Sequence, residues 1–81
     1  MSRPATILGW DAPDVVQVRI DGSRRLVGVY SYARGETTFL AADERGVSQA
    51  TAVYVALGKP VAALERLGFA VDGPRDWTAG A

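Results

Sequence analysis

The pair Asp21-Gly22 constrains the fold of this 81-residue chain more than any other feature, because it separates two segments that have the pattern of β-strands. In residues 14–20, "DVVQVRI", apolar side chains alternate with Gln17 and Arg19, a period of two that is typical of a strand. Residues 24–33, "RRLVGVYSYA", are rich in β-branched and aromatic residues, which favour strands. An Asp-Gly pair between two such segments is the strongest short-range signal of a β-hairpin, so the sequence predicts an antiparallel pair here.

A third strand is predicted over residues 36–41, "ETTFLA", and would complete a three-stranded antiparallel meander. The length of the first turn decides which side chains share a face of this sheet. A two-residue loop would place Val16 opposite Val27, on an aliphatic face apart from the tyrosines. A three-residue loop would shift the pairing by one residue and move Val16 to the face of Tyr30. The sequence leaves both registers open.

The last third of the chain contains a helix signal that begins at Pro60. Proline is favoured in the first turn of a helix, where its missing N–H costs no hydrogen bond. Gly68 lies where a left-handed C-terminal cap is needed, and the apolar residues between them fall on one side: Val61, Leu64 and Leu67. We therefore predict a helix over residues 60–68, followed by a candidate short strand at residues 69–71.

Residues 46–57, "GVSQATAVYVAL", permit three interpretations. Val47, Ala50, Tyr54 and Leu57 follow one another at intervals of three and four residues. This spacing is typical of a helix that packs one face against the core. The β-branched residues Thr51, Val53 and Val55 alternate with other side chains, which favours a strand. Periodicity alone does not separate these structures in a short apolar run, and the third interpretation is a helix that binds DNA.

The stretch "LAADERGVSQAT", within residues 40–57, has the pattern of a helix-turn-helix motif. Ala42 and Gly46 supply the small residue and the positive-φ turn that the motif needs. Locally the stretch resembles the DNA-binding headpiece of the LacI repressor family, in which "GVSQAT", "GKP" and an "AALERLGF"-like helix follow in this order. The resemblance implies a small helix-turn-helix or winged-helix-like DNA-binding regulator. Its DNA-contacting residues would be Ser48, Gln49, Thr51, Tyr54 and Arg25.

Charge and side-chain chemistry argue against the DNA-binding interpretation. Nine basic and nine acidic residues cancel, whereas proteins that bind nucleic acid usually carry a positive excess. Val53 and Leu57 would face the groove and offer no polar group to a base edge. DNA binding is therefore the alternative hypothesis and not the leading one.

The chain contains neither cysteine nor histidine. Disulfides and zinc sites built on sulfur or imidazole are excluded, and the commonest proton shuttles and nucleophiles at neutral pH are missing. No segment matches a phosphate-binding loop or a dinucleotide fingerprint. We therefore expect a non-enzymatic protein that needs no metal or cofactor. The sequence shows no signal peptide or membrane-spanning run, so a cytoplasmic location is expected.

Together these features predict one α+β domain over residues 1–81, with a less ordered lead-in at 1–13 and tail at 77–81. Its architecture would be a three-stranded antiparallel meander followed by two short helices, with the short strand near the end. The leading hypothesis is a binding or regulatory module that contacts another protein or a second copy of itself. Aromatic anchors and steering arginines would form the contact surface, namely Tyr30, Tyr32, Phe39, Arg24 and Arg25.

Overall fold

The computed structural model describes residues 3–43 and 45–78, with the backbone alone at residues 48–50. Within this part of the chain the elements are β1 (Arg3–Ala12), β2 (Val15–Ile20), β3 (Arg24–Ser31), β4 (Glu36–Asp43), β5 (Gly46–Leu57), α1 (Pro60–Arg66) and β6 (Phe69–Asp72). The predicted α+β fold with two helices and a three-stranded meander is wrong. The described chain is mostly β-sheet and has a single short helix.

One mixed six-stranded sheet contains all the strands of the described residues, in the order β5-β4-β3-β2-β1-β6. The first five strands form an antiparallel meander, and β6 pairs in parallel with β1. Residues 3–12, expected as a lead-in, are therefore an interior strand of the sheet. The connection through α1 joins β5 at one edge of the sheet to β6 at the other edge.

The register of the first hairpin follows the three-residue alternative. Val16 lies opposite Gly28 and Val18 opposite Leu26, so the turn comprises residues 21–23. Val16 and Tyr30 consequently share a face, as that alternative predicted. The second turn has four residues, 32–35.

The core lies between one face of the sheet and α1. The sheet curls so strongly that its two edges approach, and the Tyr54 ring in β5 contacts the Phe69 ring in β6 with 5.9 Å between centroids. We call the inner side the concave face and the other the convex face. The core cluster comprises Ala5, Ile7, Val16, Val18, Ile20, Leu26, Phe39, Ala63, Leu64 and Phe69.

The predicted helix at residues 60–68 is confirmed as α1, whose first turn contains Pro60. Val61 and Leu64 are buried against the sheet, and Gly68 has the positive φ of 94° that ends the helix. The predicted short strand is also confirmed, as β6. Among the described residues no helix is long and apolar enough to cross a membrane.

Both helical interpretations of residues 46–57 are wrong, because this segment is the strand β5. Thr38 lies opposite Val55 and Phe39 opposite Tyr54, so the alternation of β5 matches that of β4. β-branched side chains pack well on a pleated surface and lose rotamer freedom in a helix. Pairing with β4 therefore makes this segment a strand, although the sequence favours a helix here.

Candidate functional site: an aromatic pocket

A pocket of about 410 Å³ opens at one end of the concave face. The β1–β2 turn, the β3–β4 turn and the start of α1 all lie at this end of the meander. Its volume falls within the range of roughly 300–1,000 Å³ typical of ligand sites. The pocket is lined by Trp10, Pro13, Tyr30, Tyr32, Lys59, Pro60, Val61, Arg75, Asp76, Trp77 and Thr78.

The position of Trp10 in the pocket depends on a β-bulge in β1. The register shifts between Ile7 and Gly9, so Trp10 lies opposite Val16 on the concave face, while Gly9 lies opposite Gln17. A bulge inserts one residue and reverses the alternation beyond it. A second shift follows between Trp10 and Ala12. Without the first bulge, the indole would point to the convex face.

Two tyrosines form another wall of the pocket. Tyr30 lies at the end of β3 and Tyr32 in the following turn, and their rings meet edge to face with 4.9 Å between centroids. This arrangement is favourable for aromatic pairs. Tyr30 is half-buried, whereas Tyr32 is 69% exposed. The pair therefore presents an aromatic surface to solvent, and neither ring belongs to the core cluster.

Three contacts hold the segment after β6 against the pocket. The Trp10 indole Nε1 donates a hydrogen bond to the Pro74 carbonyl at 3.0 Å. Arg75 Nη2 donates to Glu65 Oε1 of α1 at 3.2 Å. Gly73, with φ 101°, passes so close to β1 that an added Cβ would lie 2.6 Å from the Ile7 carbonyl oxygen. These contacts place Trp77 at the rim, where its side chain is 44% exposed.

The charged residues around the pocket differ in their partners. Arg75 is paired with Glu65, and the Asp76 carboxylate accepts a hydrogen bond from Thr78 Oγ1 at 2.8 Å. Lys59, exposed at the start of α1, makes no ion pair or side-chain hydrogen bond within the described residues. The rim of the pocket therefore carries one cation that lacks a protein counter-ion there.

The residues expected to form one protein-binding surface are divided by the fold. Phe39 is fully buried in the core, so its side chain is unavailable to a partner in the folded chain. Tyr30 and Tyr32 line the pocket, whereas Arg24 and Arg25 lie at the opposite end of β3. Tyr30 lies six positions after Arg24 along the extended strand, about 20 Å at the usual rise per residue.

The arginine end of the sheet has its own ion pair. Arg3 donates to both carboxylate oxygens of Asp21, at 2.6 and 3.2 Å. This hydrogen bonding lowers the pKa of the Asp21 carboxyl below its ordinary value of 3.8 and raises the pKa of Arg3. Arg3 also lies over the Phe69 ring, with its guanidinium carbon 4.8 Å from the centroid. The pair fastens β1 to the β2–β3 turn.

The residues proposed to contact DNA lie in the edge strand β5, apart from Arg25 in the interior strand β3, and do not form a recognition helix. Thr51 is exposed, and Tyr54 is half-buried against the core. Arg25 lies in β3 opposite Arg19 and Ala42. The side chains of Ser48 and Gln49 lie outside the described part of the structure.

Sequence reasoning missed Trp10, Trp77 and Lys59 as members of the site. The nearest available signal was that an 81-residue chain carries two tryptophans near its ends, where a large aromatic residue needs a packing partner. Both tryptophans line the pocket. Within residues 3–43 and 45–78, no cluster of acidic side chains is placed to hold a metal ion.

Comparisons with protein-family models, with curated proteins and with solved structures gave no match to this chain. Any functional conclusion therefore rests on the geometry of the site.

Proposed function

We propose that this protein is a non-catalytic binding module that takes a segment of a partner protein into the aromatic pocket. The observation that carries the proposal is the convergence of Trp10, Tyr30, Tyr32 and Trp77 from distant parts of the chain around one cavity. Tyrosine and tryptophan dominate the energetics of protein recognition because they offer large, stiff apolar surfaces with a polar tip. Catalysis would need reactive groups held in a defined geometry, and of the charged residues that line the pocket Arg75 and Asp76 are already engaged by Glu65 and Thr78.

A peptide-library titration tests this function. A mixed pool of acetylated, amidated heptapeptides is added to ¹⁵N-labelled protein, and amide and indole N–H shifts are recorded. We expect the signals of Trp10, Tyr32 and Trp77 to move, while those of Arg24 and Val47, at the other end of the sheet, stay in place. Binding confined to the arginine end, or no binding at all, would contradict the proposal.

The edge strand β5 supports self-association as a second candidate function. Residues 46–57 contain no charged side chain, and the outer side of β5 pairs with no other described strand. Val55 and Leu57 are exposed on the convex side. Natural edge strands are usually protected by charges or proline, so a second copy could pair here without burying an ion.

Self-association is tested by measuring the molar mass in solution over a range of protein concentrations. A variant with a charged residue on the β5 edge is measured beside the wild type. We expect the wild-type mass to rise with concentration and Val55→Lys to remain monomeric. Val29→Lys is the matched control, because Val29 is also exposed on the convex face but lies in the interior strand β3. A wild-type mass that stays monomeric throughout would contradict self-association.

A further inference from the structure

We infer that the ligand of the aromatic pocket is a proline-rich segment in the polyproline II conformation, an inference that rests on the proposed function. The pocket walls are flat rings set at steep angles, as the 80° between Tyr30 and Tyr32 shows. Tyr30 and Tyr32 pack against each other edge to face and leave no gap between their rings, so their outer surfaces form an angled aromatic shelf. Pyrrolidine rings, which are compact and apolar, pack on such aromatic surfaces. Polyproline II segments are also extended before they bind, so binding costs little conformational entropy.

Several groups at the pocket can donate a hydrogen bond and are unused within the described residues. Within the described residues the hydroxyls of Tyr30 and Tyr32 and the indole N–H of Trp77 have no hydrogen-bond partner, and neither does the Lys59 ammonium. The Trp10 indole is already used by Pro74. A proline-rich backbone offers carbonyl oxygens and few N–H groups, because proline has no backbone donor. Donors on the protein and acceptors on the ligand therefore match.

The charges at the rim of the pocket favour a proline-rich segment over a quaternary ammonium ligand, the other kind of group that aromatic pockets often bind. Quaternary ammonium groups bind to several ring faces through cation–π attraction. Here the Lys59 ammonium, which lacks a counter-ion in the described structure, lines the same pocket, and Arg75 lies beside it. Arg75 is paired with Glu65, and the Asp76 carboxylate also lines the pocket. Lys59 is therefore the cation without a counter-ion within the described residues, and it suits a neutral chain or one with acidic flanks more than a cationic ligand.

The experiment uses the full chain and three defined probes. The first is acetyl-hexaproline-amide. The second is a control hexapeptide of alternating alanine and serine, also acetylated and amidated, and the third is tetramethylammonium chloride. Because both tryptophans of the chain line the pocket, tryptophan fluorescence, excited at a wavelength that tyrosine does not absorb, reports on this site. We expect the proline peptide to bind at least tenfold more tightly than the alanine–serine peptide, and tetramethylammonium to cause no saturable change.

Three variants connect binding to named side chains. Tyr32→Ala should weaken binding at least tenfold without affecting the fold, because this side chain is mostly exposed. Tyr32→Phe should weaken it by about three- to tenfold, since it removes a single hydrogen bond. Val47→Ala is the control, because Val47 is an exposed side chain at the far end of β5. This variant should bind hexaproline as tightly as the wild type.

The outcomes separate this inference from the proposed function. Equal binding of both peptides in the pocket would overturn the proline preference and leave the binding module intact. Saturable binding of tetramethylammonium with no peptide binding would overturn both, and so would the absence of any fluorescence change. Tight binding of hexaproline that Tyr32→Ala leaves unaltered would place the ligand elsewhere and would also overturn the inference.

Discussion

At the scale of single residues, the tightest constraint in the core is the missing side chain of Gly28. A Cβ built on Gly28 would lie 2.7 Å from Cε1 and 2.9 Å from Cδ1 of Phe39, with Val16 Cγ1 at 3.0 Å. The Phe39 ring is fully buried and cannot move aside. We expect Gly28→Ala to lower the free energy of unfolding by about 1–3 kcal/mol through overpacking, as measured by urea denaturation.

Gly9→Ala is the matched control for that substitution. Gly9 is also a glycine of the sheet, and nothing lies within 4 Å of a Cβ added there. Its effect should stay within about 0.5 kcal/mol. Equal losses in the two variants would show that general strand propensity, and not the contact with Phe39, explains the glycine at position 28.

The Asp21 carboxylate gives the stability a pH dependence with a defined sign. Its pKa in the folded state is lowered by the hydrogen bond from Arg3, so the unfolded chain binds this proton more tightly than the folded chain. The stabilisation is complete above the unfolded pKa and is lost as the pH falls through the folded pKa. We therefore expect wild-type stability to decline more steeply than that of Asp21→Asn as the pH falls below about 4.

Urea unfolding at several pH values measures the free energy of unfolding, and an NMR titration of the Asp21 carboxyl carbon measures its pKa. In Arg3→Ala the pKa of Asp21 should rise towards its ordinary value, because its hydrogen-bond donor is gone. An Asp21 pKa that is the same in both proteins would contradict the assignment of the shift to Arg3.

At the scale of elements, one buried hydroxyl joins β4 to the start of α1. Thr37 is fully buried, and its Oγ1 donates to the carbonyl of Gly58 at 2.8 Å. The Gly58 N–H in turn donates to the Gly35 carbonyl at 2.8 Å. We expect Thr37→Val to cost about 1–2 kcal/mol, since valine keeps the shape but leaves the Gly58 carbonyl without its donor.

Thermal or urea unfolding checks this value, with Thr38→Val as the control in the same strand. Thr38 lies on the convex face between Val29 and Val55 and makes no side-chain hydrogen bond within the described structure. Its replacement should be neutral within about 0.5 kcal/mol. If Thr37→Val were equally neutral, the link between β4 and α1 would rest on the Gly58–Gly35 backbone bond.

At the scale of the whole molecule, Tyr54 connects the two edges of the curled sheet. Its ring packs on Phe69 of β6, and its hydroxyl accepts a hydrogen bond from Arg3 Nη1 at 3.4 Å. We expect Tyr54→Ala to reduce the free energy of unfolding by about 2–4 kcal/mol, below the cost of a fully buried ring, because Tyr54 is only half-buried. Tyr54→Phe keeps the ring and should lose less than about 1 kcal/mol.

Hydrogen exchange on these two variants locates the effect within the sheet. In Tyr54→Ala we expect faster exchange in both β5 and β6, although the strands are not neighbours in the sheet. Faster exchange in β5 alone would mean that Tyr54 anchors its own strand and does not close the sheet.

The predictions from sequence succeeded where local chemistry decides the structure. The alternation in β2 to β4, the proline start and glycine end of α1, and the short strand after Gly68 depend on neighbouring residues, and each is present. The prediction failed for β1, whose bulges interrupt the period of two, and for β5, where helix and strand patterns overlap. In both strands the pairing partner, and not the intrinsic pattern, settles the conformation.

The candidate site shows the same division. Tyr30 and Tyr32 were identifiable because two aromatic side chains close together in a strand pattern favour a recognition surface. Trp10 and Trp77 come together only because β6 pairs with β1 and directs the following segment back to the Trp10 indole. Local preference alone determined that this chain builds hairpins and a short helix that begins at Pro60. The curl of the sheet, the burial of Phe39 and the aromatic pocket were decided by the tertiary structure, because each depends on contacts between residues far apart in the chain.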